Sequence, residues 1–181
     1  MIDMKIENVV ASTTIAREID LYKLKKALPE SEYHPEQFPG LVLRLDKPKT
    51  AALIFRSGKV VCTGAKTIED VEKAIKRVCE KVASAGFRVY KRPEISVQNI
   101  VASANLHAQL NLNSIALAVG LENIEYEPEQ FPGLVYRMDN PRVVILLFGS
   151  GKLVCTGARK AKEVEEAIKK ITQELNAKGL L

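Results

Sequence analysis

The residues with reactive side chains are few in this 181-residue chain, and their spacing does not suit catalysis. The cysteines Cys62, Cys79 and Cys155 lack the paired spacing of a zinc site, so we expect reduced, unreactive thiols. A His-ligated metal or a Ser-His-Asp device would have to use His34 and His107, the only histidines. We therefore expect a binding protein, not an enzyme, and no metal or cofactor.

Recurring side chains carry more information than the reactive ones. The octapeptide PEQFPGLV stands at 35–42 and again at 128–135. It lies within segments 33–66 and 126–159, which align without gaps and are identical at 22 of 34 positions. Upstream, IENVVAS at 6–12 matches VQNIVAS at 97–103. The offset between these two segments is 91 residues, against 93 for the longer pair. The chain is an internal duplication, with a first copy at 1–92 and a second at 93–181.

Each copy shows the same order of predicted elements. A short β-segment (6–12; 97–103) and a short helix precede three β-runs, which are separated by turn residues and read as an antiparallel meander. A long amphipathic helix closes the copy; in the first copy it covers about 67–85, with Thr67 as N-cap and Gly86 as stop. Its predicted apolar stripe is Ile68, Val71, Ala74, Ile75, Val78 and Val82. This order predicts an α+β fold, with one curved antiparallel sheet shared by both copies and the helices on one face.

Strand alternation sorts the sheet residues into a packed face and an open face. Both parities are largely apolar, but only one choice spares Asn8 and Thr63 from costly unpaired burial. Cys62 and Cys155 then fall on the packed side. The predicted open face comprises Asn8, Val10, Leu53, Phe55, Val61 and Thr63, with the duplicates Asn99, Val101, Leu146, Phe148, Val154 and Thr156.

Such a face suits the minor groove of B-DNA. An A·T pair presents only acceptors there, which Asn and Thr can meet, whereas the guanine amino group would obstruct a wall of Val and Leu. Matched basic pairs near the edges, Arg44 with Arg137 and Lys59 with Lys152, can reach phosphates. Four phenylalanines recur at identical spacing and can wedge between base steps; they are Phe38 and Phe55, and Phe131 and Phe148.

Bulk composition agrees with an acidic partner. The net charge is +5 and the pI is about 9.1, yet the charge is uneven: residues 1–92 carry +6 and residues 93–181 carry −1. No apolar run approaches the roughly 20 residues of a membrane span, and the start MIDMKIENVV lacks the pattern of a signal peptide. We expect a protein of the cell interior with no membrane partner.

The motifs QFPGLV, LIF/LLF followed by SGK, and VCTGA, together with ENVVAS and QNIVAS, resemble the TATA-box-binding protein family over essentially the whole chain. Members of this general transcription factor family are the standard example of minor-groove kinking. The FPG in both loops and a start close to the first strand resemble the archaeal branch, which implies a cytoplasmic, nucleoid-associated protein; a eukaryotic member would be nuclear.

The resemblance implies a saddle-shaped pair of pseudo-symmetric repeats with helices on the convex face, bound as a monomer to the TATA box; dimerisation off DNA stays open. It pairs Phe38 with Phe55 and Phe131 with Phe148 as wedges. It also implies a contact with transcription factor B at Glu127 and Glu129, through which RNA polymerase is recruited.

Two other functions are compatible with the residues alone. One is a DNA-binding accessory module of a nuclease or glycosylase, and the other is a carrier of a hydrophobic ligand on the open face. A near-symmetric protein could also bind a near-palindromic site in either direction. We expect the charge difference and the acidic EYEPEQ loop (125–130) to set the orientation.

Overall fold

A computed structural model of the chain describes residues 3–120 and 122–181. These residues form ten antiparallel strands and four helices, which confirms the predicted α+β class. The chain divides into two compact units. The first unit is Asn8–Gln98, and the second unit is Asn99–Leu181 together with the start of the chain up to Glu7. The predicted copy boundary at 92/93 stays a prediction.

The first unit contains a five-stranded antiparallel sheet in the order β2-β3-β4-β5-β1. Its helices are α1 (Leu21–Ala27) and α2 (Ile68–Ser84). Helix α2 packs on β5, and α1 packs on β2. The strand bounds are β1 Met4–Thr14, β2 Glu32–Tyr33, β3 Leu41–Asp46, β4 Lys49–Ile54 and β5 Lys59–Ala65. The part of β1 up to Glu7 belongs to the second unit.

The second unit repeats this arrangement with the order β6-β10-β9-β8-β7. Helix α3 (Leu112–Val119) packs on β7, and α4 (Ala161–Ala177) packs on β10. The strand bounds are β6 Ser96–Asn105, β7 Ile124–Glu125, β8 Leu134–Met138, β9 Val143–Leu147 and β10 Lys152–Ala158. The two-residue strands β2 and β7 were not predicted, because such short segments carry no alternation pattern.

The long helices begin and end as their sequences predict. In α2 the Thr67 hydroxyl accepts from the Asp70 N–H at 2.9 Å, and Gly86 follows the helix with a φ of +97°. The stripe from Val71 to Val82 is buried. The prediction for Ile68 is wrong, since its side chain is 43% exposed. Side chains tilt toward the helix N-terminus, so that of the first helical residue extends beyond the packed face.

None of the helices in the described ranges is both long and apolar enough to cross a membrane. The longest, α2 and α4, each bury a single stripe and expose charged residues elsewhere. They serve to cover one side of a sheet and leave its other side to the candidate site.

Candidate nucleic-acid interface

The sheet of each unit has one buried and one open face. Along β4 and β5, Ala52, Ile54, Val60 and Cys62 are at most 1% exposed. The intervening Leu53, Phe55, Val61 and Thr63 are only half-buried. The same alternation holds for their duplicates and for Asn8, Val10, Asn99 and Val101. The predicted parity is therefore confirmed as a matter of burial; the DNA-binding role of these residues stays a prediction.

Strand register assembles the apolar residues into rows across each open face. In the first unit Leu53 lies between Val42 on β3 and Val61 on β5, and Val61 in turn pairs with Ser12 on β1. In the second unit the row is Val135, Leu146, Val154 and Ser103. The sequence reasoning missed Val42 and Val135 although both share the parity of the predicted rim arginines, a signal that was available.

A β-bulge positions the amide of each central asparagine. Opposite Val10, strand β5 carries one extra residue, so that Thr63 and Gly64 face a single position of β1. The freed Gly64 N–H donates to Asn8 Oδ1 at 2.7 Å, and Asn8 Nδ2 donates to Thr63 Oγ1 at 3.2 Å. This bond uses one amide proton, so the second amide proton and the Thr63 hydroxyl proton remain to serve acceptors outside the protein.

The second unit repeats the bulge and its hydrogen bonds. The Gly157 N–H donates to Asn99 Oδ1 at 2.6 Å, and Asn99 Nδ2 donates to Thr156 Oγ1 at 3.1 Å. Both bulge glycines have φ near +100°, a conformation that favours glycine. The conformation of the VCTGA motif thus holds a hydrogen-bond donor at the middle of each open face.

Each unit also presents one pair of phenylalanines. The ring centroids of Phe38 and Phe55 are 5.8 Å apart with an interplanar angle of 65°. Those of Phe131 and Phe148 are 5.9 Å apart at 69°, so both pairs have edge-to-face geometry. Phe38 and Phe131 are each 39% exposed, and such exposure of a large apolar ring suits a partner surface.

The FPG sequence explains how these rings approach the chain. A Cβ at Gly40 would lie 2.7 Å from Phe38 Cε2, and one at Gly133 would lie 2.6 Å from Phe131 Cε2. The same Cβ at Gly133 would lie 2.9 Å from Phe148 Cε1. Only glycine leaves room for both rings of a pair to pack over the backbone.

Tight turns place a lysine beside Phe55 and Phe148, which directly follow β4 and β9. The Phe55 N–H donates to the Lys59 carbonyl and the Phe148 N–H to the Lys152 carbonyl, at 2.9 and 3.0 Å. Lys59 and Lys152 are exposed and have the parity of the open face. Their ammonium groups can therefore reach phosphates at the margin of that face.

The rim arginines are engaged in ion pairs. Arg44 Nη1 lies 3.0 Å from Glu32 Oε2, and Arg137 Nη2 lies 3.2 Å from Glu125 Oε1. The hydrogen bond from Arg44 is the main cause that lowers the pKa of Glu32. All four side chains are more than half exposed, so these bonds are weak and exchangeable with a phosphate.

The predicted partner residues lie on the loop that carries Phe131. Glu127 and Glu129 are exposed, and the Glu127 carbonyl accepts from the N–H groups of Gln130 and Phe131 at 3.0 Å each. The main chain thus positions the phenylalanine, whereas the two carboxylates belong to exposed residues. They are available to a second molecule without disturbing the ring.

The remaining reactive side chains are explained by structure. Cys62 and Cys155 are fully buried, and burial raises the pKa of each thiol to about 11. His34 is exposed, and His107 Nε2 lies 2.8 Å from Asp3 Oδ2. Over residues 3–120 and 122–181, no cluster of His, Cys, Asp and Glu side chains is suited to hold a metal ion.

Comparison with known proteins places this geometry in a family. The family model for transcription factor TFIID, or TATA-binding protein, matches residues 3–85 and 94–178. The chain belongs to the TATA-box-binding protein family. This family consists of DNA-binding transcription factors and not of enzymes.

Individual members are similar over almost their whole length. The TATA-box-binding protein of Archaeoglobus fulgidus is 58% identical over 178 residues, covering 98% of this chain and 97% of that protein. That of Thermoplasma acidophilum is 60% identical over 176 residues, covering 97% and 96%. The structure of Methanococcus jannaschii TBP matches with a TM-score of 0.90 and 54% identity, covering 97% of this chain and 99% of that one. The predicted fold class and family resemblance are confirmed.

Proposed function

We propose that the chain is a general transcription factor that binds the A·T-rich TATA box through the minor groove and kinks it with its two phenylalanine pairs. The observation that supports this most directly is the duplicated open face, which combines apolar rows, central amide and hydroxyl donors, and exposed edge-to-face phenylalanines. Only acceptors line an A·T minor groove. Each donor and each row of this face therefore has a matching feature in that groove.

The proposal assigns a role to each group of residues. Asn8, Thr63, Asn99 and Thr156 donate to base acceptors, while the rows of Val and Leu exclude the guanine amino group. The predicted rim cations, Arg44, Lys59, Arg137 and Lys152, contact phosphates. The log of the affinity should then fall with the log of salt by about 0.9 for each phosphate neutralised.

A gel shift with a TATA-containing duplex against a G·C-rich duplex tests the function. We expect strong preference for the first. Phe148→Ala should reduce both affinity and bending, read as energy transfer between dyes at the duplex ends. Leu117→Ala is the matched control, because it truncates an apolar side chain of α3 that is 87% exposed and should leave both readings unchanged. Equal behaviour of the two variants would refute the wedge assignment.

Assembly with transcription factor B, and through it with RNA polymerase, is proposed on the exposed loop at Glu127 and Glu129. Glu127→Arg with Glu129→Arg should retain DNA binding and abolish the ternary complex, since only side chains change and the carbonyl bond to Phe131 remains. Changing His34 and Glu36, the matching positions of the first copy, is the control and should spare that complex. Loss of DNA binding in the Glu variant would show that the loop belongs to the DNA site.

The proposal also covers the oligomeric state and the cellular location. We propose a monomer on DNA, acting on the nucleoid in the cytoplasm, as suits a relative of archaeal proteins. The readings as a nuclease accessory module or a hydrophobic-ligand carrier lose support, because family similarity extends over both copies. Equal affinity for both duplexes in the gel shift would favour the hydrophobic-ligand-carrier hypothesis instead.

A further inference from the structure

A polar pair beside the apolar row differs between the two units. Glu7 of the first copy aligns with Gln98 of the second, and Ser12 aligns with Ser103. In the second unit Ser103 Oγ donates to Glu7 Oε1 at 2.7 Å. In the first unit Gln98 Nε2 donates to Ser12 Oγ at 2.9 Å. The duplicated serines therefore have partners of opposite hydrogen-bonding character.

Both serines belong to the candidate DNA-binding face. Ser12 pairs in register with Val61, and Ser103 with Val154; both serines are half-buried. Ser103 also lines an open depression of about 670 Å³ together with Phe148 and Val154. A ligand that covers the apolar rows would reach these two hydroxyl groups.

The character of the partner decides what each hydroxyl can offer. An ionised carboxylate can only accept, so Glu7 takes the single proton of Ser103 and leaves that oxygen as an acceptor. Gln98 Nε2 donates to Ser12 and also lies 3.1 Å from Ser96 Oγ. This arrangement leaves the Ser12 proton free. One unit thus presents a donor at this position and the other presents an acceptor beside a negative charge.

Minor-groove chemistry distinguishes these two arrangements. A·T pairs show only acceptors there, whereas a purine 2-amino group is the one donor. The free hydroxyl proton of Ser12 can be donated to an A·T pair. The Ser103 oxygen can only accept, so it forms no hydrogen bond with an A·T acceptor. We propose that the Glu7–Ser103 pair makes the second unit accept a purine 2-amino group that the first unit disfavours, and so helps to orient the protein on DNA. The inference rests on the proposed minor-groove function.

A palindromic A·T duplex with 2,6-diaminopurine in place of adenine isolates this effect, because the analogue adds the 2-amino group and leaves the major-groove edge unchanged. Three duplexes are compared at fixed salt: unsubstituted, substituted in one half, and substituted at the symmetric positions of both halves. The substitution is moved through the half-site to find the position that faces the serine. The full-length chain and its variants are titrated by fluorescence anisotropy.

For the wild-type chain, an amino group in one half of the duplex should change Kd by no more than about twofold, because the protein can bind with its second unit over that half. Amino groups in both halves should raise Kd roughly five- to tenfold, which corresponds to one hydrogen bond. Glu7→Gln should raise the ratio of Kd for the one-half duplex to Kd for the unsubstituted duplex by a similar factor, since Ser103 can then donate to A·T. The reciprocal Gln98→Glu should make two amino groups no worse than one.

Identical ratios for wild type and Glu7→Gln at every position would overturn the inference. So would a Ser103→Ala variant that keeps the wild-type ratios, because the hydroxyl would then not be the group that meets the base. Both isosteric variants exchange residues that one copy already carries, and thermal melts verify their fold. Failure of the proposed function looks different: the wild-type chain would then show no preference for the unsubstituted duplex over a G·C duplex.

Discussion

Gly133→Ala tests how the backbone holds the phenylalanine pair that we propose as a wedge. The added methyl group would start 2.6 Å from Phe131 Cε2 and 2.9 Å from Phe148 Cε1. Carbon atoms reach their optimal separation near 3.5 Å, so the rings must retreat by about 0.9 and 0.6 Å. Gly133 lacks a positive φ, and the backbone itself therefore tolerates alanine.

The displacement should affect DNA bending more than stability. Phe131 is 39% exposed and can move toward solvent, so the cost in unfolding free energy should stay near the lower end of the 1–3 kcal/mol typical of overpacking, at about 1 kcal/mol. An edge-to-face pair contributes about 0.5–1.5 kcal/mol, and the insertion between base steps that we propose for this pair depends on the position of both rings. We expect a loss of about 1–2 kcal/mol in binding, or roughly five- to thirtyfold in Kd.

Energy transfer between dyes at the two ends of a TATA duplex measures the bend, and a titration at fixed salt measures Kd. Gly149→Ala is the matched control, because its new Cβ would meet only the Leu110 carbonyl oxygen at 3.7 Å. Gly40→Ala should reproduce the effect at the other phenylalanine pair. A Gly133→Ala protein that bends and binds DNA like the control would refute the reasoning.

Three further outcomes can be measured. Arg137→Gln removes a cation that we propose to contact a phosphate and that lies 3.2 Å from Glu125 Oε1. The change should weaken DNA binding and make the salt slope shallower by about 0.9; an unchanged slope would show that this arginine contacts no phosphate. In the folded protein the pKa of Cys62 and Cys155 is about 11, against an ordinary 9.0. Their contribution to stability should therefore be complete below pH 9 and fall as the pH rises toward 11. Urea titrations of the double alanine variant should show a flatter pH dependence than those of the wild type. Tyr136→Phe removes a hydroxyl that donates at 2.6 Å to a carboxylate of α4 and should lower the urea midpoint by the equivalent of about 1–3 kcal/mol; no loss would mean that water replaces the bond.

Local sequence was sufficient to predict much of the fold and of the candidate face. The two copies align closely enough to show the duplication, and period-two alternation separates Cys62 from Val61 because a strand points successive side chains to opposite faces. The cap at Thr67 and the stop at Gly86 were likewise readable, because their hydrogen bonds and dihedral preferences involve neighbours within a few residues.

Features formed between distant residues could not be read in this way. The two-residue strand β2 exists only because Tyr33 pairs with Leu41. The engagement of the rim arginines by Glu32 and Glu125 also appears only in the tertiary structure. The need for glycine in FPG depends in part on where the rings of Phe55 and Phe148 lie, and these residues come later in the chain, directly after β4 and β9.

The sequence by itself determined that this chain carries two copies of one β-rich unit, each with a recurring set of phenylalanines, amides and basic residues. Tertiary structure alone decided which of these groups have free hydrogen-bonding capacity. The bond between Ser103 and Glu7 joins residues 96 positions apart, and such contacts depend on strand register and the bulge, which arise from the packing of the whole unit and not from any local propensity.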